Sequence, residues 1–353
     1  MYYRPMFKAG KKKIGSGQPV FIIAEISGNH NRDIERAKAI IDAAAEAGAD
    51  AVKLQTYTPD TITIDSDKPE FVVKTGRDWK GKTLYQLYGE AYTPWEWHAE
   101  LYFHAAHRDL ICFSSPFDAT AVDFLEKLRN PIYKVASFEV VDVPLLERIG
   151  LTKKPVIMSR GMASVAELEL ALKTLRKFGS KEIALLQCVS AYPAEPKDMH
   201  LSMIPEMRNR FKIETGLSDH SLTNDSAIAA VTLGATIIEK HLTLRRADGG
   251  PDSSFSLEPQ EFSELVRSIR TVEQAIGKPS YSLSKGEKDN AQFRKSLFVV
   301  KDVKKGEKFT AENVRSIRPG NGLAPKFFRS VIDKKAKRDI EKGTPLSWRL
   351  IER

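Results

Sequence analysis

The chain has 353 residues, of which 42% are hydrophobic and 29% are charged, and its formal net charge is +9. A chain of this length can bury a full core and hold one large domain together with a small one. Its longest apolar run, residues 227–238, is too short to span a bilayer, and no apolar segment follows the basic N-terminus. We therefore expect a soluble protein with no membrane partner.

Two cysteines, Cys112 and Cys188, lie in apolar, strand-like runs. A free cysteine in such a run behaves as a small buried hydrophobic residue, whereas secreted domains use cysteines in disulfides. The sequence therefore predicts reduced thiols and a cytoplasmic location.

The positive charge is concentrated towards the C-terminal end. Residues 281–353 hold 19 Lys and Arg against 9 Asp and Glu, so they carry +10 and residues 1–280 carry −1. The lysines of this tail stand at turns and alternate with acidic residues, as in DVKKGE (302–307). This pattern favours a solvated surface over a role near an anionic site, and both over binding to nucleic acid. We expect no nucleic acid partner.

Short apolar runs alternate with amphipathic stretches through the first 280 residues. Eight of these runs are predicted strands: 20–27, 51–55, 110–114, 132–136, 156–159, 183–188, 212–216 and 236–240. Helical periodicity fills the gaps, for example in 33–47, 95–107, 164–177 and 259–276.

Eight such units predict an α/β fold, a (β/α)8 TIM barrel that forms the catalytic domain in residues 1–276. A doubly wound open sheet is the competing fold. We favour the barrel because polar residues recur at the end of every predicted strand, whereas an open sheet concentrates them near one switch point.

Two histidines, His220 and His241, follow neighbouring predicted strands. The C-terminal ends of neighbouring parallel strands lie on one rim, so both imidazoles are expected on the same face. Each histidine has a carboxylate nearby, Asp219 or Glu239, that can orient the ring. The pair predicts a divalent-metal site, although each residue alone also fits an ordinary rim histidine with a satisfied hydrogen bond.

Three charged residues are expected to point to the barrel axis. Glu25, Lys53 and Lys134 each share strand parity with small or apolar residues two positions away. Because an unpaired buried charge costs several kcal/mol, the rim is the expected place for them, where a ligand or counter-ion compensates. The alternative is a structural network in which the lysines pair with Glu25 or Glu139.

The loops after the predicted strands are rich in hydroxyl groups and glycine. Such loops offer hydroxyl and backbone N–H donors, which are typical of phosphate sites. A single loop serine is uninformative, but five around one rim with two lysines predict an anion pocket: Ser115, Ser137, Ser159, Ser190 and Ser218.

The C-terminal part of the chain has a different pattern. Residues 277–292 (GKPSYSLSKGEKDNAQ) are polar, show neither helical nor strand period, and are predicted to be a linker. Short runs separated by KKGE and EKGT turns follow, and predict a small, loop-rich module in residues 293–353 with little core of its own. Within it, Arg318 precedes a Pro-Gly-Asn-Gly turn, either as a surface arginine or as one that reaches another site.

Several segments resemble the sialic acid synthase family, and most closely its pseudaminic acid synthase branch. These segments cover nearly the whole chain: AEISGNHN (24–31), VKLQTYTPDT (52–61), YTPWEWH (92–98), FSSPFD (113–118), YKVASFE (133–139), GLSDHS (216–221), IEKHLTL (238–244) and GGPDSSFSLEP (249–259). The resemblance implies a TIM barrel followed by an antifreeze-like SAF domain, in a domain-swapped homodimer. The implied transferase condenses phosphoenolpyruvate with 2,4-diacetamido-2,4,6-trideoxy-altropyranose to give a nine-carbon nonulosonic acid and phosphate, with Mn²⁺ or Mg²⁺ as the metal.

The resemblance also implies roles for individual residues. Its metal ligands correspond to His220 and His241, its active-site carboxylates to Glu25 and Glu139, and the arginine that the SAF domain delivers to the sugar to Arg318. Its phosphoenolpyruvate contacts correspond to Lys53, Lys134, Ser115, Ser137, Ser159, Ser190 and Ser218.

Two positions depart from the family pattern. Arg160 stands where threonine is expected, and either adds a cation to the phosphate loop or points outwards. Ser190 stands where the sialic acid branch has asparagine, which weakens its assignment as a ligand.

Two alternative functions stay open at this point. Synthesis of N-acetylneuraminic or legionaminic acid is the alternative within the family, because the sugar configuration is assigned by resemblance alone. A non-catalytic sugar-binding barrel, with the basic tail as a partner-binding arm, is the alternative from another class. The presence of both lysines, both glutamates and both histidines argues against the second. Which glutamate is the general base is left open.

Overall fold

The structure, a computed structural model, describes residues 6–74 and 79–352. The chain divides into two compact units, Met1–Gly277 and Lys278–Arg353. No helix within the described ranges is long and apolar enough to cross a membrane.

The first unit alternates strands with helices. Its strands are β1 (Met6–Ala9), β2 (Lys12–Gly15), β3 (Phe21–Glu25), β4 (Ala51–Thr56), β5 (Ile111–Pro116), β6 (Tyr133–Val135), β7 (Val156–Ser159), β8 (Ile183–Cys188), β9 (Glu214–Asp219) and β10 (Ile237–His241). Its helices are α1 (Ile34–Glu46), α2 (Pro59–Ile62), α3 (Leu84–Ala91), α4 (His98–His107), α5 (Ala119–Lys127), α6 (Val143–Leu151), α7 (Val165–Phe178), α8 (Met203–Phe211), α9 (Asp225–Thr232) and α10 (Pro259–Ile276).

Strands β3 to β10 are parallel and close into a barrel in the order β10-β3-β4-β5-β6-β7-β8-β9. The predicted (β/α)8 barrel is therefore confirmed, and all eight predicted strands are present. Most boundaries lie within one or two residues of the prediction, and two strands differ in ways that bear on the site. The strand predicted at 212–216 spans Glu214–Asp219, and the one predicted at 20–27 ends at Glu25, before a 3-10 helix at Ser27–His30.

Strand alternation divides the barrel residues between two buried layers. Phe21 and Ile23 of β3 belong to the inner layer, where they pack with Ile237 of β10. Ile22 and Ala24, one position out of phase, pack outwards in the cluster that contains residues of α1 and α10. Burying a large aliphatic or aromatic side chain contributes about 1.5–3 kcal/mol. Because side chains alternate between the two faces along each strand, the sequence position of a polar residue decides whether its side chain points into the barrel.

A hairpin that the sequence analysis missed closes one end of the barrel. Strands β1 and β2 pair in antiparallel fashion, and Phe7, Ala9 and Ile14 join the inner layer of the barrel. The signal was present but weak: apolar residues at alternate positions flank a short turn at Gly10, whose φ is +55°. The hairpin therefore fills the N-terminal end of the barrel with apolar side chains.

The second unit has a small core of its own. It contains α11 (Lys285–Asn290), β11 (Ser296–Val299), β12 (Val314–Ile317) and α12 (Phe328–Val331). Strands β11 and β12 pair in antiparallel fashion, and Leu297, Phe309 and Leu346 are among its fully buried residues. The segment predicted as a linker contains α11, because the Ser284 side chain caps the first turn together with Glu287. Residues 276–290 are all exposed.

Candidate active site

Four charged side chains meet inside the barrel near the C-terminal strand ends: Glu25, Lys53, Lys134 and Glu239. The Lys53 Nζ lies 3.0 Å from Glu25 Oε2 and 3.0 Å from Glu239 Oε1. The Lys134 Nζ lies 3.6 Å from the same Glu239 oxygen. All four residues are only 0–4% exposed. Two positive and two negative charges thus form a compact, buried set, which we call the charge cluster.

The directions of these side chains follow from strand parity. Glu25, Lys53 and Lys134 point inward as predicted, and Glu239 shares the inward parity of Ile237. An isolated buried charge loses several kcal/mol of hydration, which the pairing offsets. The structural network considered from the sequence is present in part, because Lys53 pairs with Glu25. Glu239, and not Glu139, is its second partner.

Pairing and burial set the protonation states of the charge cluster. Burial opposes ionisation of Glu239, but the ammonium groups of Lys134 and Lys53 outweigh it and lower the pKa of Glu239. Burial also opposes the charge on Lys53, yet Glu239 and Glu25 raise its pKa. Burial raises the pKa of Glu25 and lowers the pKa of Lys134. Glu239 is therefore readily ionised and Lys53 readily protonated, whereas burial disfavours the charged forms of Glu25 and Lys134.

Glu139 lies beside the cluster in a 3-10 helix, Glu139–Val141, that follows β6. It is half-buried, and burial raises its pKa to about 7. A carboxyl group that titrates near neutral pH can both accept and donate a proton there. Glu25 is more constrained, because its Oε1 accepts a hydrogen bond from Gln55 Nε2 at 3.0 Å. The environment therefore suits Glu139 better to proton transfer, a distinction that the sequence left open.

Two of the predicted serines contact the charge cluster directly. Ser159 Oγ accepts a hydrogen bond from Lys134 Nζ at 2.8 Å. Ser218 Oγ donates to Glu239 Oε1 at 3.1 Å. Both hydroxyl groups are buried, so they line the same inner rim as the lysines.

The other three predicted serines divide between a loop pair and a strand. Ser190 Oγ donates to Ser137 Oγ at 2.8 Å. Gly161 packs against this pair with a φ of +51°, and a Cβ at its position would lie 2.3 Å from the Ser137 Cβ, so only glycine fits there. Ser115 lies on β5 as the register partner of Gln55 and is 1% exposed.

Several buried polar atoms around this rim lack a hydrogen-bond partner among the described residues. They are Ser115 Oγ, Glu139 Oε2, Glu239 Oε2 and His241 Nδ1. Buried polar groups are nearly always satisfied in folded proteins. Their collection at the open end of one barrel indicates a site built for a polar ligand.

The two predicted metal ligands come together beside the charge cluster. The rings of His220 and His241 have centroids 5.4 Å apart. His220 Nδ1 lies 2.8 Å from the carbonyl oxygen of Val189, so Nδ1 carries a proton. Burial disfavours the imidazolium form of His220, but the interaction with Cys188 outweighs burial and raises the pKa of His220, so this ring binds a metal ion only after Nε2 has lost its proton. Burial lowers the pKa of His241 well below its ordinary value, so this ring is neutral at neutral pH. Neutral imidazole nitrogens suit a divalent metal ion.

The carboxylates expected to orient these rings do not do so. Asp219 forms an ion pair with Lys240, Glu239 belongs to the charge cluster, and the Val189 carbonyl orients His220 instead. Across residues 6–74 and 79–352, no group of three or more His, Cys, Asp and Glu is arranged to hold a metal. Within the described residues, His220 and His241 are thus a pair of candidate ligands and not a complete metal site.

An aromatic wall that the sequence analysis missed flanks the histidines. Tyr192 lies 4.4 Å from His220, and Phe255 lies 5.0 Å from His241, between ring centroids. Trp79 lies 5.6 Å from Tyr192 and donates its indole N–H to the Pro251 carbonyl at 2.7 Å. These rings lower the local dielectric constant and give the rim an apolar side.

The sequence analysis did not assign three residues to the places that they take in the site. Glu239 was expected only to orient His241, although its parity, which is that of His241, places it on the inner face. Cys188 ends β8 and interacts with His220; burial opposes the thiolate, but the imidazole outweighs it and lowers the pKa of Cys188. Asp252 is half-buried and accepts hydrogen bonds from Ser27 Oγ and, at 3.3 Å, from Gly28 N. Asp252 lies in the loop after β10 and not at a strand end, so no strand pattern pointed to it.

Two arginines singled out from the sequence lie outside the charge cluster. Arg160 donates to Gln187 Oε1 at 3.4 Å, and Gln187 is out of phase with the inward residue Leu186, so Arg160 points outwards. Arg318 belongs to the second unit, where it is exposed directly after β12. Its loop is fixed by Ser296 Oγ, which donates to the Pro319 carbonyl at 2.6 Å and accepts from Gly322 N at 2.8 Å.

Comparison with known proteins gives consistent matches along the chain. Residues 40–281 match the NeuB family, and residues 294–352 match the SAF domain. The chain is 42% identical to pseudaminic acid synthase of Helicobacter pylori, over 95% of this chain and 99% of that protein. It is 43% identical to pseudaminic acid synthase of Campylobacter jejuni, over 93% of this chain and 95% of that protein.

A solved structure agrees in fold with these relatives. N-acetylneuraminic acid synthetase from Leptospira borgpetersenii is 31% identical and superposes with a TM-score of 0.72, over 82% of this chain and 96% of that one. The family resemblance inferred from the motifs is thus confirmed by matches that span most of the sequence. The chain belongs to the NeuB family and ends in a SAF domain.

Proposed function

We propose that the protein condenses phosphoenolpyruvate with 2,4-diacetamido-2,4,6-trideoxy-altropyranose to form a nine-carbon nonulosonic acid and phosphate. The observation that carries this proposal is the pair of buried lysines, Lys53 and Lys134, at the open end of a barrel of this family. Two ammonium groups with serine hydroxyls around them suit a small ligand that has both a phosphate and a carboxylate. The high identity to two pseudaminic acid synthases supports the altro-configured sugar.

Phosphoenolpyruvate binding is assigned to the inner rim. Lys53 and Lys134 neutralise the phosphate and the carboxylate, and Ser159 and Ser218 stand beside them as further hydrogen-bonding groups. The Ser137–Ser190 pair, with Ser115, supplies the remaining hydroxyl groups. Because the charge cluster is electroneutral when all four groups are ionised, the incoming anion must compete with Glu239 for both ammonium groups.

We assign a divalent ion, Mn²⁺ or Mg²⁺, to His220 and His241. His241 fits this role because it is neutral and its Nδ1 has no partner within the described part of the chain. His220 fits because the Val189 carbonyl fixes its tautomer. When bound, the ion supplies Lewis acidity that polarises the sugar aldehyde. The aromatic wall excludes water from this side of the site.

The atoms of the reaction balance with one water molecule. C3 of phosphoenolpyruvate forms a bond to the aldehyde carbon of the open-chain sugar, whose oxygen takes up a proton. Positive charge then develops at C2, where the carboxylates of Glu25 and Glu239 stabilise it. Water adds at C2, and the hemiketal phosphate expels phosphate by cleavage of its C2–O bond as the C2 hydroxyl becomes a ketone. The two protons of the water thus end, in net terms, on the new sugar hydroxyl and on the phosphate. The products are the 3-deoxy-2-keto acid and phosphate.

Glu139 is assigned as the general base. Its pKa of about 7 lets it take the proton from the water that adds at C2 and return it to the leaving group at neutral pH. Glu25 is tied to Lys53 and Gln55, so it acts as a fixed charge.

We further propose that the protein works as a domain-swapped homodimer, in which Arg318 reaches the sugar in the partner's barrel. Three features support this: an exposed segment at 276–290, the +10 charge of residues 281–353 against −1 for the rest, and a rigid loop that presents Arg318. A guanidinium offers planar, paired donors to an acetamido or hydroxyl oxygen, which a lysine cannot reproduce. Two free, buried cysteines support a cytoplasmic location.

Turnover with a panel of sugars tests the proposal. The protein is incubated with Mn²⁺, phosphoenolpyruvate and amino-hexoses that differ in configuration and at the 6-position, and phosphate release and product mass are measured. We expect the altro-configured diacetamido sugar to be preferred, and ¹⁸O placed in the bridging oxygen to appear in the phosphate. Preference for another sugar would assign the neuraminic or legionaminic product, and no release with any sugar would reject synthesis.

A further inference from the structure

The residues just before the two histidines form an ion pair with each other. Asp219 precedes His220, Lys240 precedes His241, and the two are register partners on β9 and β10. Because side chains alternate along a strand, the pair faces away from the barrel axis, towards the layer that packs under α9 and α10. Asp219 and Lys240 are each 1% exposed. A buried ion pair therefore lies directly behind the histidines.

The ammonium group of Lys240 is fully satisfied. Its Nζ donates to Asp219 Oδ2 at 2.7 Å, to the Ser221 carbonyl at 2.7 Å and to the Thr223 carbonyl at 2.8 Å. Asp219 Oδ1 in turn accepts from the backbone N–H of Ser221 at 2.9 Å. The segment from 219 to 223 is thus wrapped around one buried cation, which comes from the neighbouring strand.

This arrangement does more than neutralise a buried charge. One carboxylate is enough to pair Lys240, yet two backbone carbonyls of the turn after His220 also converge on it. The backbone of His220 is consequently held on both sides, through Asp219 before it and Ser221 after it. His220 follows Asp219 directly along the chain, and His241 follows Lys240. Each histidine is therefore bonded through the backbone to one member of the same ion pair.

We propose that Asp219 and Lys240 are positioning residues that fix the separation and direction of the two imidazoles for the divalent ion. This inference rests on the metal role assigned to His220 and His241 above. The pair touches no reacting atom and acts through the backbone of the two histidines. Loss of it lets the turn at 220–223 move relative to β10, so the two nitrogen donors no longer stay aligned. Groups that orient metal ligands typically change metal affinity by 10–100-fold.

The main test variant is Asp219→Asn with Lys240→Met. It removes both charges at nearly constant volume and leaves no unpaired buried ion, a kind of replacement that cores tolerate. Mn²⁺ affinity is measured from the electron paramagnetic resonance signal of free Mn²⁺, and phosphoenolpyruvate affinity by calorimetry in the presence of chelator. We expect Mn²⁺ binding weaker by about 10–100-fold, unchanged phosphoenolpyruvate binding, and turnover restored by excess Mn²⁺.

Two further proteins serve as references. Arg270→Met removes an ion pair with Asp50 (2.9 Å) on the side of the barrel that holds the N-terminal strand ends, and should lower thermal stability without a change in Mn²⁺ affinity. His220→Ala removes a proposed ligand itself and should abolish specific Mn²⁺ binding.

The single variant Asp219→Asn keeps Lys240 and its two contacts with backbone carbonyls, and should weaken Mn²⁺ binding less than the double variant.

The outcomes separate this inference from the proposed function. Wild-type Mn²⁺ affinity in the double variant, with binding lost in His220→Ala, would overturn the positioning role and leave the metal site intact. An equal loss of Mn²⁺ and phosphoenolpyruvate binding would also overturn it, because that result means general damage to the rim. A wild-type protein that binds no Mn²⁺ would refute the metal site and the positioning role together. If the double variant does not fold, unchanged Mn²⁺ affinity in Asp219→Asn decides against the role.

Discussion

Substitution of Glu239 tests the charge cluster most directly, because the structure predicts opposite effects on protein stability and on phosphoenolpyruvate affinity. Its Oε1 lies 3.0 Å from Lys53 Nζ and 3.6 Å from Lys134 Nζ, so it holds both ammonium groups when no anion is bound. The substitution Glu239→Gln keeps the shape of the side chain and removes the charge. We expect the variant to be less stable without ligand and to bind phosphoenolpyruvate more tightly.

The expected loss of stability follows from the contacts, and the expected gain in affinity follows from Coulomb's law at an assumed separation. Breaking a buried ion pair costs about 3–5 kcal/mol, and the lower end applies because Glu25 still pairs with Lys53 at 3.0 Å. A loss of about 3 kcal/mol lowers the Tm of a unit of this size by about 5 °C. Removing one negative charge roughly 8 Å from an anion, at an effective dielectric constant of about 20, favours the anion by about 2 kcal/mol. That is about thirtyfold in Kd.

The assay compares two glutamates on opposite ends of the barrel. Thermal unfolding gives the stability, and calorimetric titration of phosphoenolpyruvate in the presence of chelator gives the affinity. The control is Glu214→Gln, because Glu214 is 1% exposed and accepts hydrogen bonds at 3.1 Å from Ser16 N and Thr236 Oγ1, away from the proposed site. It should lose stability with no change in affinity.

One result would refute the reasoning about Glu239. If Glu239→Gln binds phosphoenolpyruvate no more tightly than the wild type while its Tm falls as expected, the anion does not compete with Glu239 for the lysines. The ligand pocket would then lie elsewhere on the rim, and the charge cluster would be structural.

Three further predictions address the metal, the base and the shared site. Chelator should abolish turnover, and a divalent ion should restore it in the wild type but not in His220→Ala. Glu139, whose pKa is raised to about 7 by burial, acts as a base only when ionised, so turnover should fall as the pH drops below 7. In Glu139→Gln turnover should be lower by about 10²–10⁴-fold, and this decrease at acidic pH should be absent. Chains carrying Arg318→Ala and chains carrying His220→Ala should each be inactive alone, yet regain activity as mixed dimers.

Each of these predictions has a contrary outcome that can be observed. Full turnover in chelator would remove the metal from the reaction. Because burial raises the pKa of Glu139 from 4.5 to about 7 in the folded state, the wild type loses stability as the pH rises from about 4.5 to about 7, and Glu139→Gln should avoid this loss of up to about 3 kcal/mol. Equal pH dependence of stability in both proteins would show that Glu139 is not buried as described. Mixed dimers verified by mass but inactive would place Arg318 outside the partner's site.

The sequence by itself determined the repeating architecture and the inward residues. The alternation of apolar runs with helical periods reflects local preferences, so eight βα units were readable without tertiary contacts. Strand parity is equally local, and it placed Glu25, Lys53 and Lys134 on the inner face. The serines, histidines and family motifs lay at strand ends, where a barrel carries its site.

The tertiary structure decided which of these groups act on each other. Glu239 reaches Lys53 only because barrel closure pairs β10 with β3, so that His241 stands beside Glu25, and no local pattern encodes that register. Strand alternation turned Asp219 away from the barrel axis, and the pairing of β9 with β10 brought it to Lys240. The closed barrel also gave the N-terminal hairpin an end to fill. Periodicity fixes the face of a side chain, but ion pairs depend on contacts between strands, and the contact between β10 and β3 forms only when the barrel closes.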